Sequence, residues 1–389
     1  MRKLLLFFLF SFLISSVSAQ SYLKLSVYAE VSIITVGPGE NLYEVFGHSA
    51  IRIKDPVLNF DLVYNYGIFD FNAPGFYLNF AKGKLQYLLA RYPFQQFVSS
   101  YKSDKRWIKE QILNLNKEQK QQFFEYLENN ARQENASYLY DPYFNNCSTK
   151  LRDISNIILN DSITFNKSYA SNKTLRELMN DELHWNSWGS LGINIALGTV
   201  LDKKATPTQY LYLPDFVFSA FDKGKIIING TSQPIVKKET NILIYEEPAY
   251  SFSFSSPIVI FSVLFFIGVL ITYRDFKKRT RSKWFDFLLF FITGIIGIGI
   301  VFLWFFTNHM TTPNNFNILW AFAPNIIIGF FLLKNKYHKR IKKYIWLLLV
   351  LLILMLVFWV AGIQLFATAM IPFLLLLAYR YYYLLTLKE

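Results

Sequence analysis

The chain contains one cysteine, Cys147. An internal disulfide is therefore excluded, and the residue reads either as a buried small side chain or as a reactive thiol. Excess charge is missing where nucleic-acid binding would need it. Of the net +13, residues 20–256 contribute nothing, with 24 Lys+Arg against 24 Asp+Glu, while residues 257–389 carry 14 against 3. The basic balance belongs to the apolar C-terminal part, and no nucleic-acid partner is expected. Charged groups are also scarce within the long apolar runs, where Asn325 after Pro324 and Gln364 are the main polar residues. A transporter or proton pump places ionisable groups at mid-membrane, so these runs read as an anchor or a lipid-facing platform. Outside them there are neither internal repeats nor low-complexity tracts.

What is abundant is apolar and aromatic: 53% hydrophobic and 19% aromatic residues, more than an average soluble protein carries. Arg2 and Lys3, an apolar stretch over 4–14 and Ser16-Val17-Ser18-Ala19 predict a secretory signal, residues 1–19, cleaved before Gln20. The leader has no cysteine, so the protein is not expected to be a lipoprotein itself. Five apolar segments follow, at 257–273, 284–306, 316–333, 344–359 and 363–379, each near the length that crosses a bilayer. Arg274, Lys277, Lys278, Arg279, Arg281 and Lys283 fill the first connection. Lys334, Lys336, Lys339, Arg340, Lys342 and Lys343 fill the third, where His338 reads as a solvated loop residue. The second connection, 307–315 with His309, and the turn at Gly362 have no lysine or arginine. Both basic loops therefore face the cytoplasm, the first span enters from outside, and Lys388-Glu389 ends inside. The expected organisation is an exported domain over 20–245, a linker over 246–256, and a membrane domain over 257–389.

In the exported part the pattern predicts α+β structure. Residues 31–36 read as a strand ending at Gly37-Pro38-Gly39. His48 opens a second strand directly after Gly47, with Ala50, Arg52 and Lys54 on one side and Ser49, Ile51 and Ile53 on the other. Residues 61–67 read as its antiparallel partner. An aromatic-rich region over 69–80, a turn at Lys82-Gly83-Lys84 and a strand over 85–89 follow. Asn116 with Gln119 predicts a capped helix carrying Phe123, Phe124 and Leu127 on one face. A short strand over 138–140 leads into Tyr140-Asp141-Pro142-Tyr143-Phe144-Asn145-Asn146-Cys147. There Asn145 or Asn146 caps a helix with Leu151, Ile154 and Ile158 at helical spacing. Cys147 then sits at a helix N-terminus, where the partial positive charge favours thiolate. Further on, 174–179 reads as a short helix, 211–220 as a helix or strand pair around Pro214, and 239–254 as the link to the membrane.

A thiol nucleophile needs a base and a group that orients the base. Two of the four histidines lie in the membrane part, leaving His48 and His184. His184 belongs to a Trp-rich loop suited to aromatic packing, and His48 at a strand start is preferred.

Gly47-His48-Ser49-Ala50-Ile51 followed much later by Asn146-Cys147 resembles the circularly permuted papain-like fold of the NlpC/P60 superfamily, whose lecithin–retinol acyltransferase-like members transfer acyl groups. That resemblance implies a third polar residue on the next strand, where Val63-Tyr64-Asn65-Tyr66 places Asn65, with Asp61 as the alternative. A second set of motifs resembles the Lnb family of Bacteroidetes over most of residues 20–240. It comprises Phe46-Gly47-His48-Ser49-Ala50, Phe69-Asp70-Phe71-Asn72, Tyr140-Asp141 with Asn145-Asn146-Cys147-Ser148-Thr149, Arg152-Asp153 and Leu213-Pro214-Asp215, ahead of a multi-span C-terminus. The Lnb resemblance implies lipoprotein N-acylation at the bacterial inner membrane, with the N-terminal domain in the periplasm. Cys147 would take an acyl chain from a phospholipid donor and pass it to the α-amine of a diacylglyceryl lipoprotein acceptor. His48 would be the base and Asn65 the orienting residue, with no metal and no cofactor. Asp141, Asn145, Arg152 and Asp153 read as structural or supporting. Asp141, Asn145 and Arg152 are the substrate-binding candidates, Arg152 toward a lipid phosphate. A hydrolase of the same fold, acting on cell-wall peptides or lipid esters, and a non-catalytic envelope scaffold remain alternatives. The five-span anchor weighs against the first and the joint presence of His48, Asn65 and Cys147 against the second.

Overall fold

A computed structural model describes residues 23–247, 249–334 and 339–387. The expected leader, His338 and the terminal Lys388-Glu389 lie outside the described residues. The strands are β1 (Glu30–Val36), β2 (His48–Asp55), β3 (Phe60–Ile68), β4 (Gln86–Pro93), β5 (Ile108–Leu113), β6 (Ser137–Leu139), β7 (Ile163–Thr164), β8 (Lys225–Ile228), β9 (Thr231–Pro234) and β10 (Val236–Leu243). Seven form one antiparallel sheet in the order β10-β5-β1-β2-β3-β4-β6, and β7, β8 and β9 form a second.

Both faces of the large sheet are covered, and the alternation of side chains decides which residue meets which cover. Val31, Ile33, Ile51, Ile53, Tyr64 and Tyr66 pack with Phe123 and Leu127 of helix Lys117–Asn130 and with Leu151 and Ile154 of helix Cys147–Leu159. Ile34, Val36, Ala50 and Val63 face the other way, toward Phe94 and Phe97 of helix Phe94–Ser103. Each buried Val, Leu, Ile or Phe side chain among these contributes about 1.5–3 kcal/mol. The second cover explains a departure from the simple pattern. Arg52 lies on that face yet is buried, held by Asp61 and Glu110 and stacked over the Phe94 ring. Helix Phe94–Ser103 and strand β5 were not foreseen, because neither alternates cleanly nor carries a cap signature. Strand β10 corrects the reading of 239–254 as a link: Val236–Leu243 pairs with β5 at the sheet edge.

The C-terminal part is helical. Among the described residues four helices are long and apolar enough to cross a membrane: Pro257–Lys278, Lys283–Phe305, Arg340–Val360 and Thr368–Thr386. The expected third span, 316–333, is broken. A 3-10 turn at Phe316–Leu319 and a helix Asn325–Leu332 replace it, the latter about 12 Å long at 1.5 Å per residue. Pro324 supplies no N–H to continue the turn before it. Phe316 N–H, at the start of this irregular stretch, donates to the Gln364 side chain, and the buried Asn325 side chain is bonded to the Thr293 and Tyr344 hydroxyls. Irregular backbone at membrane depth survives when protein groups satisfy it in this way.

The spans also hold more charge than the sequence reading counted. Arg380 and Asp286 are fully buried, and Asp275 nearly so. Arg380 donates to Asp286 (2.6 Å), to Asp275 (2.7 Å) and to Thr272 (3.1 Å), while Arg281 pairs with Asp286 (3.4 Å). Two cations and two anions cancel, so the cluster ties the first, second and last membrane helices together at their basic ends.

A second buried arginine joins the two parts of the chain. Arg176 is bonded to Asp202, Asn194 and the carbonyls of Leu197 and Gly198. These groups bear on the membrane part through Gly198 N–H to Thr311 O, Asn317 to Asn194 O, Asn315 to Ile195 O and Leu365 N–H to Asp202. The N-terminal domain is thus seated on the membrane helices through directional bonds at fixed registers.

Replacing Arg380 by Met should leave two buried carboxylates with only Arg281 as a cationic partner and cost about 3–5 kcal/mol. The thermal midpoint of the detergent-solubilised full chain is expected to fall well below that of the parent; an unchanged midpoint would show that the cluster does not hold the helices together.

Candidate active site

The site is assembled where the end of the sheet meets the start of a helix. Gly47 enters β2 with φ 72°, in the left-handed region. A Cβ there would lie 2.8 Å from the Val36 carbonyl oxygen, so only glycine lets the chain turn into the strand at this point. His48 follows as the first residue of β2, opposite Val36 of β1. Ala50 and Asn65 stand at matching positions of β2 and β3, given the pairing of Ile51 with Tyr64. His48 and Asn65 therefore share a face, and His48 Nε2 donates to Asn65 Oδ1 at 2.6 Å. Asn65 is held in turn by donating Nδ2–H to Tyr92 Oη at 2.8 Å. With Nε2 engaged as donor, Nδ1 is the ring atom left to meet a thiol.

Cys147 is the first residue of helix Cys147–Leu159. Asn146 caps it: its Oδ1 accepts from Thr149 N–H (2.9 Å), and Thr149 Oγ1 accepts from Asn146 N–H (2.8 Å). The Asn146 Nδ2 donates to the Pro142 and Tyr212 carbonyls, both at 2.8 Å. Ser49 and Ser148 hydroxyls, 3.1 Å apart, fasten the first helical turn to β2. At Gly67 the β3 register against β4 shifts and φ reaches 97°. A Cβ built at Gly67 would lie 3.9 Å from Cys147 Cβ and 3.7 Å from the Tyr140 ring. The bulge at this glycine is what brings the strand end, the thiol and Tyr140 together.

Cys147 is buried while His48 keeps partial exposure. Burial by itself pushes the thiol up. The His48 charge and hydrogen bond, the Ser49 backbone N–H and the Ser148 hydroxyl outweigh it and bring Cys147 below its ordinary value of 9.0. His48 moves the opposite way, above 6.5: burial disfavours its cation, but the Cys147 charge and hydrogen bond and the Asn65 bond more than compensate, against a smaller opposing effect of Arg106. The pair thus tends toward thiolate and imidazolium, charges that a helix N-terminus and a fixed amide partner both favour.

Of the other residues singled out in the sequence, Asp61 shares the face of Asn65 but lies further along β3 from His48, where it forms a bidentate pair with Arg52 (2.6 and 2.7 Å). His184 stacks on Tyr250 and lies near Trp185, apart from the thiol. Asp141 accepts the amides of Tyr143 and Phe144, and Asn145 donates to the Leu139 carbonyl, so both shape the loop before the helix. Arg152 is bonded to Asp153 and the Thr208 carbonyl. The sequence reading missed Tyr92, Tyr101 and Arg106. Tyr101 stacks on His48 with ring centroids 6.4 Å apart, and Arg106 lies over the Tyr101 ring while donating to the Gly37 carbonyl. They come from β4 and the segment that leads from it to β5, where no motif marks them. Among the described residues no group of three or more metal-binding side chains occurs.

Family models match the chain in two places. One, described as the Lnb N-terminal periplasmic domain, matches residues 20–181. The other, described as the Lnb transmembrane domain, matches residues 249–389. No curated protein and no solved structure matches.

Alkylation of Cys147 by iodoacetamide should show a midpoint below the ordinary thiol value. In His48→Ala the largest thiolate-favouring contribution is lost while burial remains, so the midpoint should rise and the rate at neutral pH fall about tenfold or more, one unit of pKa being a tenfold change in thiolate. Asn65→Ala should shift it upward by less. Superimposable pH profiles for the parent and His48→Ala would disprove the pairing.

Proposed function

The chain belongs to the Lnb family and is a multi-pass inner-membrane protein with its N-terminal domain in the periplasm; from that premise we propose that it is a cysteine acyltransferase acting on lipoprotein N-termini. The observation that carries the reading is His48, bonded to Asn65 at 2.6 Å and coupled to Cys147 at a helix start, in a domain seated directly on membrane helices.

In the first half-reaction the Cys147 thiolate attacks the ester carbonyl carbon of a phospholipid. The negative charge moves to the carbonyl oxygen. The amides of Cys147 and Ser148 belong to the first helical turn, whose N–H groups have no intrahelical acceptor, and they are suited to receive that charge. The carbonyl re-forms as the C–O bond to glycerol breaks, and the His48 imidazolium gives its proton to the leaving alkoxide. The result is a thioester on Cys147, a lysophospholipid and a neutral imidazole. In the second half-reaction His48 takes a proton from the α-amine of a diacylglyceryl-cysteine as the nitrogen attacks the thioester. The C–S bond breaks, an amide forms, and thiolate and imidazolium are regenerated. Asn65 keeps Nε2 occupied through both halves, so that Nδ1 always faces sulfur. A hydrolase would share the first half and use water in the second. The anchored domain favours a membrane-borne amine, since donor and acceptor both lie in the leaflet beneath it.

Intact mass of the full chain incubated with phospholipid should show one acyl group, and peptide mapping should put it on Cys147. In cells depending on Cys147→Ala or His48→Ala, lipoprotein N-termini should be diacyl only. Triacyl lipoproteins persisting in the Cys147→Ala strain would overturn the assignment. An acyl-enzyme that yields free fatty acid with no transfer to an amine would favour the hydrolase.

A further inference from the structure

Between β3 and β4 the chain forms a lobe that buries almost nothing of itself. Its helix, Phe76–Ala81, is only six residues long, starts with no side-chain cap, and contains no buried residue. Yet its sequence, with the residues just before it, is strongly apolar. Phe71, Tyr77, Leu78 and Phe80 are 46%, 72%, 58% and 50% exposed. An apolar helix with no core beneath it is stable only if something else removes its surface from water.

The structure shows what lies beside it. Asn308 N–H donates to the Lys82 carbonyl at 2.8 Å, and Gly83 packs directly on the His309 backbone. The Phe80 ring also meets the ring of His309. Asn308 and His309 stand just after the second spanning helix, whose last residue Phe305 and the capping Phe306 are 64% and 70% exposed. The lobe is therefore held at the level where that helix leaves the hydrocarbon, in line with its terminal aromatic belt. Lys82 and Lys84, both exposed, flank the lobe and suit the phosphates of a lipid surface.

The same lobe is in ring-to-ring contact with the site. Phe80 packs against Phe76 (6.2 Å between centroids), Phe76 against Phe69 (6.0 Å), Phe69 against Tyr87 (4.9 Å), and Tyr87 against Tyr140 (4.3 Å). Tyr140 lies beside Gly67 and Cys147, and its hydroxyl is held well above the ordinary tyrosine range by burial and by the Cys147 charge. An unbroken series of aromatic rings thus leads from the membrane-adjacent loop to the thiol.

We infer that the 69–81 lobe inserts into the outer leaflet of the inner membrane and that its ring series is the track along which an acyl chain passes from the leaflet to Cys147. The occupant is phospholipid. A saturated hydrocarbon gains from apolar contact with the exposed rings of the lobe and with the edges of the rings that follow, and the ester carbonyl is delivered last, at the one point where a nucleophile stands. The track rests on the acyltransferase reading; the insertion of the lobe does not.

Two measurements test these parts separately. In a Cys147→Ser background the full chain has no other cysteine, so Tyr77→Cys can carry a single environment-sensitive fluorophore. The protein is placed in nanodiscs of phosphatidylethanolamine and phosphatidylglycerol containing shallow nitroxide lipids. The label at 77 should be quenched by those lipids and protected from aqueous iodide. A control at Val57→Cys, in the turn at the far end of the β2–β3 hairpin, should behave the opposite way. A label at 77 that iodide quenches as readily as the control would overturn insertion. So would protection that depends on protein concentration and not on nitroxide lipid, since a second copy would then cover the lobe. For the track, Phe69→Ala with Phe76→Ala should lower acylation of Cys147 from bilayer phospholipid about tenfold or more, in keeping with loss of apolar contact. Its acylation by a water-soluble short-chain thioester, and its iodoacetamide rate, should stay within about twofold. An equal loss with both acyl donors would overturn the track. Failure of the parent to acylate with either donor would overturn the enzyme reading while leaving the insertion result standing.

Discussion

The arrangement depends on a single amide side chain. Asn146 uses Oδ1 to cap the helix that begins at Cys147 and Nδ2 to grip two carbonyls, one from its own loop and one from Tyr212 far along the chain. All of these bonds are made away from bulk water, since Asn146 is buried. The helix start is therefore fixed in rotation and in depth relative to the sheet. The lowered thiol pKa depends on that fixity because burial by itself raises it. The thiolate is favoured only if His48, the Ser49 amide and the Ser148 hydroxyl all converge on the sulfur, and a small displacement of the helix would remove them together.

The histidine side of the site is fixed by the sheet. A strand register cannot slip by one residue without sending every side chain to the opposite face, and both faces here are packed. His48 and Asn65 share a face because β2 and β3 are neighbours with a defined register, and Tyr92 on β4 extends the same row of hydrogen bonds. The Gly67 bulge interrupts the β3–β4 pairing. Its φ of 97° is one that residues with a side chain rarely adopt, and it sets the strand end beside the helix end.

Membrane attachment carries the same logic further. Arg176 and Asp202, both buried, seat the N-terminal domain on the loops between spans, while Arg380 with Asp275 and Asp286 secures the opposite ends of the helices. Buried pairs of this kind contribute little net stability against an apolar alternative, yet they tolerate only one geometry. They fix the height at which the N-terminal domain sits over the membrane helices.

Local signals determined much of the chain. The cap at Asn146, the strand opening at His48, the capped helix after Asn116 and the basic loops that orient the spans all follow from residues within a few positions of one another. Helix termini, strand alternation and loop charge are local properties. That sequence order also placed Asn65 on the strand next to His48. Only the tertiary structure decided between Asn65 and Asp61 as the His48 partner. It did so because both lie on β3, and the pairing register, a contact between distant segments, sends one to His48 and the other to Arg52. Likewise Tyr92, Tyr101 and Arg106 come from segments with no motif, and the polar partners around the broken third span, Thr293, Tyr344 and Gln364, come from three different segments. The ring series from Phe80 to Tyr140 joins parts of the chain that no sequence period links. Each of these depends on which surfaces meet when the sheet is covered and the domain is seated, and no short stretch of the sequence contains that information.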